Sequence, residues 1–293
     1  MNKFFSHTIL ALAALLCMAS CRTAQEVPSA PEAKGNTKIV SFNIRNAGAW
    51  TLEHDGENAW PNRKGAVLTM INQERPDAIG LQEMLGDQIP FLDSTMNEAG
   101  YGRVGVGRDD GKKDGEMMAV YYRRDRWELL RSATYWLSAT PEAPSRGWDG
   151  ACNRTVTVVL LKDRQSGRKL LYMNTHLDHV GKEARKEGVA LLTDIANEWS
   201  ELANAVVIGG DFNSATGEAI YRPLKSNHLL SARDIAYVSD SSMTYTGFGK
   251  EKATQIDHFF VRGIRPLRFS VLNGSYGVPY VSDHYPISVE FDL

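Results

Sequence analysis

The chain has 293 residues, of which 43% are apolar and 23% are charged, the proportions of an ordinary folded protein rather than a disordered one. This length can bury one large core or two modest ones. The formal net charge is −2 and no basic run stands out. This slightly negative charge disfavours tight, sequence-independent nucleic-acid binding through many phosphate contacts. It does not exclude nucleic acid as a substrate.

The first twenty residues form a predicted export signal that is removed from the mature protein. Lys3 supplies the positive start, Ile9–Leu16 is an apolar segment too short to span a bilayer, and Ala19 and Ser20 precede Cys21. This arrangement resembles a bacterial lipoprotein signal, which implies lipidation of Cys21 and export to a membrane, facing the periplasm or the cell surface. The alternative is a plain secretory signal with an incidental cysteine.

Residues 21–36 are polar, contain Pro28 and Pro31, and show no apolar periodicity, so they are predicted to be a flexible tether. Membrane contact is then expected through the N-terminal lipid alone. Residues 37–293 contain no internal repeat or linker and are predicted to be one domain, which we expect to be monomeric. With Cys17 removed and Cys21 acylated, Cys152 has no partner for an internal disulfide.

Apolar runs and helical spacing predict an alternation of strands and helices along this domain. The predicted elements are, in chain order, strand Lys38–Arg45, helix Asn62–Gln73, strand Asp77–Gln82, helix Leu85–Asn97, strands Tyr101–Gly107, Met117–Arg123, Trp127–Leu137, Cys152–Lys162 and Lys169–His176, helix Lys182–Leu202, strand Ala205–Ile208, a helix around Gly217–Lys225, and strands near Gln255–Val261, Leu267–Val271 and Ile287–Phe291.

This order favours an α+β fold in which two sheets pack together and helices cover them outside. An all-parallel barrel is the alternative. The run of about five strands without a helix in the middle of the chain argues against it.

Polar side chains recur at the ends of the predicted strands or in the loops just after them. The set comprises Asn43, Glu83, His176, Asp211 with Asn213, Asp257, and Asp283 with His284. Each alone is explained as well by a turn, a cap or a surface ion pair. Their recurrence within one domain is harder to explain in that way.

The chemistry of this set points to metal-assisted hydrolysis of a phosphoester. The sequence lacks CxxC and HExxH, which disfavours zinc, and it has no Walker loop, GxGxxG or nucleophile elbow. A few carboxylate and amide oxygens suit Mg²⁺ or Mn²⁺. Histidines beside aspartates suit activation of water and protonation of a leaving oxygen.

Six segments in order, SFNIR, GLQE, NTHLDH, GGDFN, IDHFFV and SDHYP, resemble the endonuclease/exonuclease/phosphatase superfamily. They span Ser41 to Pro286, which is nearly the whole predicted domain. The resemblance implies a four-layer αββα sandwich of two mixed β-sheets packed face to face, with helices outside. It also implies a metal-dependent phosphoester hydrolase.

The resemblance assigns roles to the metal and water residues position by position. Glu83 is implied to be the principal metal ligand, with Asn43 beside it, and Asp283 to serve a metal directly or through water. Asp211 is implied to orient or deprotonate the attacking water. Asn213 is implied to steady the phosphoryl oxygens.

The remaining roles concern protons and substrate. His284 is implied to contact phosphate or assist the base, Asp257 to orient it, and His176 to protonate the leaving group or bind phosphate. Three residues are candidates for substrate binding: Arg108, Arg154 and Asn174. For the two arginines, an exposed surface position is the alternative.

The sequence therefore predicts an Mg²⁺- or Mn²⁺-dependent phosphodiesterase or phosphatase acting on small, lipid-linked or sugar-linked phosphates. A secreted nuclease that degrades DNA or RNA is the alternative within the same chemistry. A non-catalytic binding lipoprotein on the same fold is the alternative from another class.

Overall fold

The computed structural model describes residues 36–293. The predicted export signal and nearly all of the predicted tether lie outside these residues. The strands are β1 (Thr37–Asn43), β2 (Ala78–Met84), β3 (Tyr101–Val104), β4 (Met117–Arg123), β5 (Trp127–Trp136), β6 (Thr155–Asp163), β7 (Lys169–His176), β8 (Ala205–Asp211), β9 (Leu230–Ser231), β10 (Val238–Ser239), β11 (Asp257–Arg262), β12 (Arg268–Val271) and β13 (Ile287–Phe291).

The helices are α1 (Ala49–His54), α2 (Trp60–Glu74), α3 (Gln88–Glu98), α4 (Lys182–Ser200), α5 (Arg222–Ser226) and α6 (Ala232–Ile235), with 3₁₀ turns at Gly56–Asn58 and Ala219–Tyr221. None of the helices in residues 36–293 combines the length and the apolar character needed to cross a bilayer.

The strands form two mixed sheets. The first has the order β10-β12-β13-β1-β2-β4-β3 and the second the order β5-β6-β7-β8-β11-β9. In the first sheet β1 runs parallel to β2, and in the second β7 runs parallel to β8, while most other neighbours are antiparallel. This arrangement confirms the predicted α+β sandwich.

Alternating side chains on the strands separate the layers. On β8, Val207 packs between the two sheets, whereas Val206 and Ile208 pack under α4. Helices α2 and α3 cover the outer face of the first sheet in the same way, for example through Val67 and Leu92. Full burial of each such side chain contributes roughly 1.5–3 kcal/mol.

The ends of two predicted elements differ from the structure. Strand β8 continues through Gly209 and Gly210 to Asp211, because these positions bring backbone close to neighbours rather than ending the strand. A Cβ at Gly210 would lie 2.1 Å from the carbonyl oxygen of Thr175 on β7. Helix α4 ends at Ser200, so Leu202, predicted as part of its apolar stripe, is exposed.

Candidate active site

The predicted site residues meet at one rim of the sandwich because several strands end there. Asn43 is the last residue of β1 and pairs with Gln82 of β2, one position before Glu83. In the second sheet, Asp211 pairs with His176 on one side and with Asp257 on the other. Residues in one register row project from the same face, so these three side chains are neighbours.

Asn43 connects the two sheets at this rim. Its amide nitrogen donates to Glu83 Oε1 at 2.9 Å and to Asp211 Oδ2 at 3.0 Å. Its amide oxygen accepts the backbone N–H of Arg45 at 3.0 Å, which fixes the orientation of the amide. In this orientation Asn43 presents its amide nitrogen to the two carboxylates and positions them, while its role as a metal ligand stays a prediction.

Glu83 is turned into the site by an irregularity in β2. The register against β4 shifts between Leu81 and Met84, and Glu83 adopts a left-handed φ of 63°. Its Oε2 accepts from the backbone N–H and the side-chain amide of Asn46, both at 3.0 Å. Burial works to raise the pKa of Glu83, but the hydrogen bonds from Asn43 and Asn46 outweigh it, and the pKa falls. The side chain is therefore a carboxylate at neutral pH.

Asp283 lies on the same side of the site and is nearly buried. Its Oδ1 accepts from Ser282 Oγ at 3.0 Å, and Arg45 Nη1 lies 3.6 Å from its Oδ2. Burial is the main reason that the pKa of Asp283 is raised, and repulsion by Glu83 adds to it. Two carboxylates that repel each other in a buried pocket are a suitable place for a cation.

His284 stands between two buried carboxylates. Its Nδ1 lies 2.8 Å from Asp257 Oδ2, and its Nε2 lies 3.7 Å from Asp211 Oδ2. Burial opposes the charge on the ring, but Asp257 and Asp211 together hold the pKa of His284 well above its usual value. Burial is the main reason that the pKa of Asp211 rises to about 7. Attraction by His284 opposes this rise, and repulsion by Asp257 adds to it.

His176 is neutral in this site. Its pKa is lowered by burial and by the nearby charges of Arg154 and Arg108. Asn213 donates its amide nitrogen to Nε2 of His176 at 3.0 Å and to the carbonyl of Leu177 at 3.0 Å. The ring therefore carries its proton on Nδ1, which has no hydrogen-bond partner within residues 36–293. In this geometry His176 is better placed to hold Asn213 or a substrate oxygen than to donate a proton from Nε2.

A pocket of about 450 Å³ opens at this rim. Among the predicted residues it is lined by Glu83, Asp211, Asn213, His176, Asp283, His284, Arg108 and Arg154. Asn43 and Asp257 lie behind this lining and hold it in place.

Asn174, predicted as a substrate-binding residue, does not line the pocket. The side chain is fully buried between the sheets. Its amide nitrogen donates to the carbonyls of Leu81 and Ala119, and its oxygen accepts from Gln82 at 2.6 Å. Asn174 precedes His176 by two positions on β7, so it faces the same way but lies one repeat deeper in the sandwich.

Several pocket residues were not predicted from the sequence. They are Arg45, Asn46, Glu116, Cys152, His179, Tyr245, Thr254 and Ile256. Arg45 ends the SFNIR segment and could have been found there. Glu116 reaches the pocket because β4 pairs with β2. No local sequence pattern indicates that pairing. Tyr245 packs against the imidazole of His284, with ring centroids 4.9 Å apart.

The donor set at the Glu83 end fits a hard divalent cation. Glu83 and Asp283 offer carboxylate oxygens, and a hard ion such as Mg²⁺ needs only one or two of these because it keeps waters and binds substrate oxygens. Ligand atoms of Asp211, Asp257 and His284 also lie within 4.8 Å of one another. The hydrogen bond between Asp257 and His284 makes this second group better suited to proton chemistry.

A further group, Cys152, Asp178 and His179, also has the spacing of a metal site but does not fit one. The oxygens of Asp178 already accept from three backbone N–H groups and from Arg154 Nε. Arg154 Nη2 lies 2.8 Å from Nδ1 of His179, so a cation placed there would face a guanidinium.

Comparison with known proteins agrees with this geometry. The sequence matches the endonuclease/exonuclease/phosphatase family over residues 40–284. A mannosyl-6-phosphatase structure from Bacteroides thetaiotaomicron VPI-5482 is 30% identical, with a TM-score of 0.80 over 87% of this chain and 99% of the other. An uncharacterised protein of Acanthamoeba polyphaga mimivirus is 23% identical over 258 residues, which is 80% of this chain and 92% of that protein. Nocturnin of Drosophila melanogaster is 28% identical over 188 residues, covering 58% of this chain and 27% of nocturnin.

The chain belongs to the endonuclease/exonuclease/phosphatase family. Members of this family are phosphoester hydrolases that generally use divalent metals, and the resemblance inferred from the six sequence segments is confirmed. Phosphoester hydrolysis in general is therefore supported for this protein.

Proposed function

We propose that the protein is an Mg²⁺- or Mn²⁺-dependent phosphoester hydrolase that acts on small phosphorylated substrates, with sugar phosphates as the preferred class. One observation carries the proposal. His284 stands between Asp257 and Asp211 on one side of a pocket whose other side presents the carboxylates of Glu83 and Asp283.

The residues of the chain divide the chemistry between them. Asn43 and the backbone N–H of Asn213 hold the two oxygens of Asp211, at 3.0 and 2.9 Å. Asp211 is thereby aimed to accept a proton from a water molecule attacking phosphorus. A pKa near 7 matches such a base to neutral pH.

His284 would hold a phosphoryl oxygen, and Asn213 would join it by turning one amide N–H from His176 towards the phosphoryl group. His284 is kept protonated by its two carboxylates, so it can donate to an oxygen that gains charge in the transition state. Glu83 and Asp283 would hold the divalent cation. When bound, this cation supplies Lewis-acid stabilisation to the phosphoryl and leaving oxygens.

A small substrate is supported by charge and by one relative. The net charge of −2 lacks the positive excess of a nucleic-acid-binding surface. A structure of 30% identity is named as a mannosyl-6-phosphatase, which motivates sugar phosphates as the first substrates to test.

The predicted location completes the proposal. The Cys21 lipoprotein signal would place the enzyme outside the cytoplasm as a lipid-anchored monomer. Metabolic labelling with a palmitate analogue should mark the wild-type protein but not a Cys21→Ser variant. Labelling of both proteins, or of neither, would contradict the anchor.

A phosphoester panel with Mg²⁺ present tests the function. Sugar phosphates, p-nitrophenyl phosphate, bis-p-nitrophenyl phosphate, nucleotides, phospholipid head groups, DNA and RNA are compared by kcat/KM. We expect the highest value among the small esters, and a His284→Ala variant should lose that activity. A preference for DNA or RNA would instead select the nuclease alternative, and no hydrolysis of any ester would favour the binding lipoprotein.

A further inference from the structure

Two arginines form one wall of the pocket and are held there by consecutive residues. The side chain of Trp136 donates to the backbone carbonyl of Arg108 at 2.6 Å. The backbone N–H of Leu137 donates to the carbonyl of Arg154 at 2.7 Å. Asn153 adds a second link to the carbonyl of Arg108, at 3.2 Å. We call Arg108 and Arg154 the arginine wall.

Each guanidinium of the arginine wall is anchored by one carboxylate. Arg108 Nη1 donates to Glu116, and Arg154 Nε donates to Asp178 at 3.3 Å. The anchors fix the side-chain conformations before any ligand binds, which lowers the entropy cost of binding. They also leave other donors of each fork unused.

The unused donors distinguish these arginines from one that serves the fold alone. Arg154 is 6% exposed, yet its Nη1 has no partner within residues 36–293, and neither does Nε of Arg108. Arg63 is 1% exposed and donates to four backbone carbonyls, those of Asn58, Ile44, Arg45 and Val281. An unpaired buried donor is unfavourable, so these donors favour binding of a ligand that supplies acceptor oxygens.

The wall adjoins the place where a phosphoryl group would sit. Both arginines share the pocket with His176, Asn213 and Asp211. Arg154 Nη2 lies 2.8 Å from Nδ1 of His179, which lines the same side of the pocket.

We propose that the arginine wall binds the third non-bridging oxygen of a terminal phosphate, so that the pocket selects phosphomonoesters over phosphodiesters. This inference rests on the proposed hydrolytic function and adds the substrate class. A monoester presents three non-bridging oxygens and two negative charges, whereas a diester presents two oxygens and one charge. The cation site, His284 and Asn213 are enough for two oxygens, and the arginines provide for the third.

The test compares p-nitrophenyl phosphate with bis-p-nitrophenyl phosphate in the presence of Mg²⁺. The wild-type protein should prefer the monoester. Arg154→Met should lower kcat/KM for the monoester by about 10- to 150-fold, the range expected for one lost charged hydrogen bond, and the value for the diester by less than about threefold. Arg262→Met is the matched control, since Arg262 also donates to a carbonyl and a side chain but does not line the pocket.

A second measurement covers the case in which Arg154→Met does not fold. Inorganic phosphate, the product of monoester hydrolysis and a group with a full set of phosphate oxygens, should inhibit wild-type diester hydrolysis competitively, and Arg108→Lys should raise its inhibition constant by about tenfold. Equal losses of kcat/KM on the monoester and the diester, or a wild-type preference for the diester, would contradict the proposed role of the arginine wall. Neither result would contradict the proposed hydrolytic activity. Hydrolysis of neither ester by the wild-type protein would reject the proposed function itself.

Discussion

The imidazole of His284 is shared between Asp257 and Asp211, with Nδ1 at 2.8 Å from Asp257 Oδ2 and Nε2 at 3.7 Å from Asp211 Oδ2. The first pair is a buried hydrogen bond, whereas the second is too long for one, so Nε2 is not committed to Asp211. Asp257 therefore sets the orientation of the ring, while the other nitrogen faces the pocket together with Asp211. Each carboxylate therefore lies near a different nitrogen of the ring, so substitutions can test the two separately.

Removing either reactive partner should remove most of the activity. Asp211→Asn takes away the proposed base, and His284→Ala takes away the donor to the phosphoryl oxygens. Each should lower kcat on the best substrate by roughly 10²-fold or more, the usual contribution of a positioned acid or base. Circular dichroism would check that the variants fold. Rates near wild type in both variants would contradict the mechanism.

The pH dependence of kcat/KM should be bell-shaped. The acidic limb reports deprotonation of Asp211, whose pKa is about 7 in the metal-free protein. A cation beside it lowers that value, so the limb should lie at or below about pH 7. The alkaline limb reports loss of the proton from His284. Because Asp257 stabilises the imidazolium, Asp257→Asn should move the alkaline limb to lower pH, whereas an unmoved limb would separate Asp257 from the titration.

Removal of divalent cations should abolish hydrolysis. EDTA is expected to inactivate the protein, and Mg²⁺ or Mn²⁺ in excess should restore it. Glu83→Gln keeps the shape of the side chain but loses its charge, so it should weaken Mn²⁺ binding, measured by calorimetry, by about 10- to 100-fold. Glu98→Gln is the control, because Glu98 is exposed at the end of α3. Full activity in EDTA would refute the assignment of the Glu83 end to a metal.

Arg63 should couple stability to the site. It ties the backbone at Ile44 and Arg45 to that at Val281, near Asp283. Lysine cannot reach four carbonyls, so Arg63→Lys should lower the free energy of unfolding by about 2–4 kcal/mol, measured in urea. Affinity for Mn²⁺ should fall with it, because the Asp283 segment loses its link to the Asn43 segment. If the variant loses stability but keeps its Mn²⁺ affinity, Arg63 stabilises the fold without affecting the metal site.

Much of this arrangement could be predicted because the relevant side chains follow apolar strands in the sequence. Asp211 and His176 occupy strand ends, and parallel pairing of β7 with β8 necessarily brings such ends together. Glu116 and the wall-forming contacts of Trp136 depend on which strands become neighbours, which local patterns do not encode. Asn174 shows the complementary difference between a sequence pattern and the position of a side chain. A motif places it beside His176, but the depth of a residue within a sandwich depends on where the partner sheet ends.

Three residues of the site adopt a left-handed backbone conformation, which affects how the protein would change under selection for heat resistance. Glu83, Arg45 and Asn213 adopt φ values of 63°, 55° and 48°, a conformation that glycine accepts more readily than any of them. Screening random variants for heat resistance alone should therefore enrich glycine at these positions and produce robust but inactive proteins. A thermostabilised form of this protein would have to be selected on turnover and heat together.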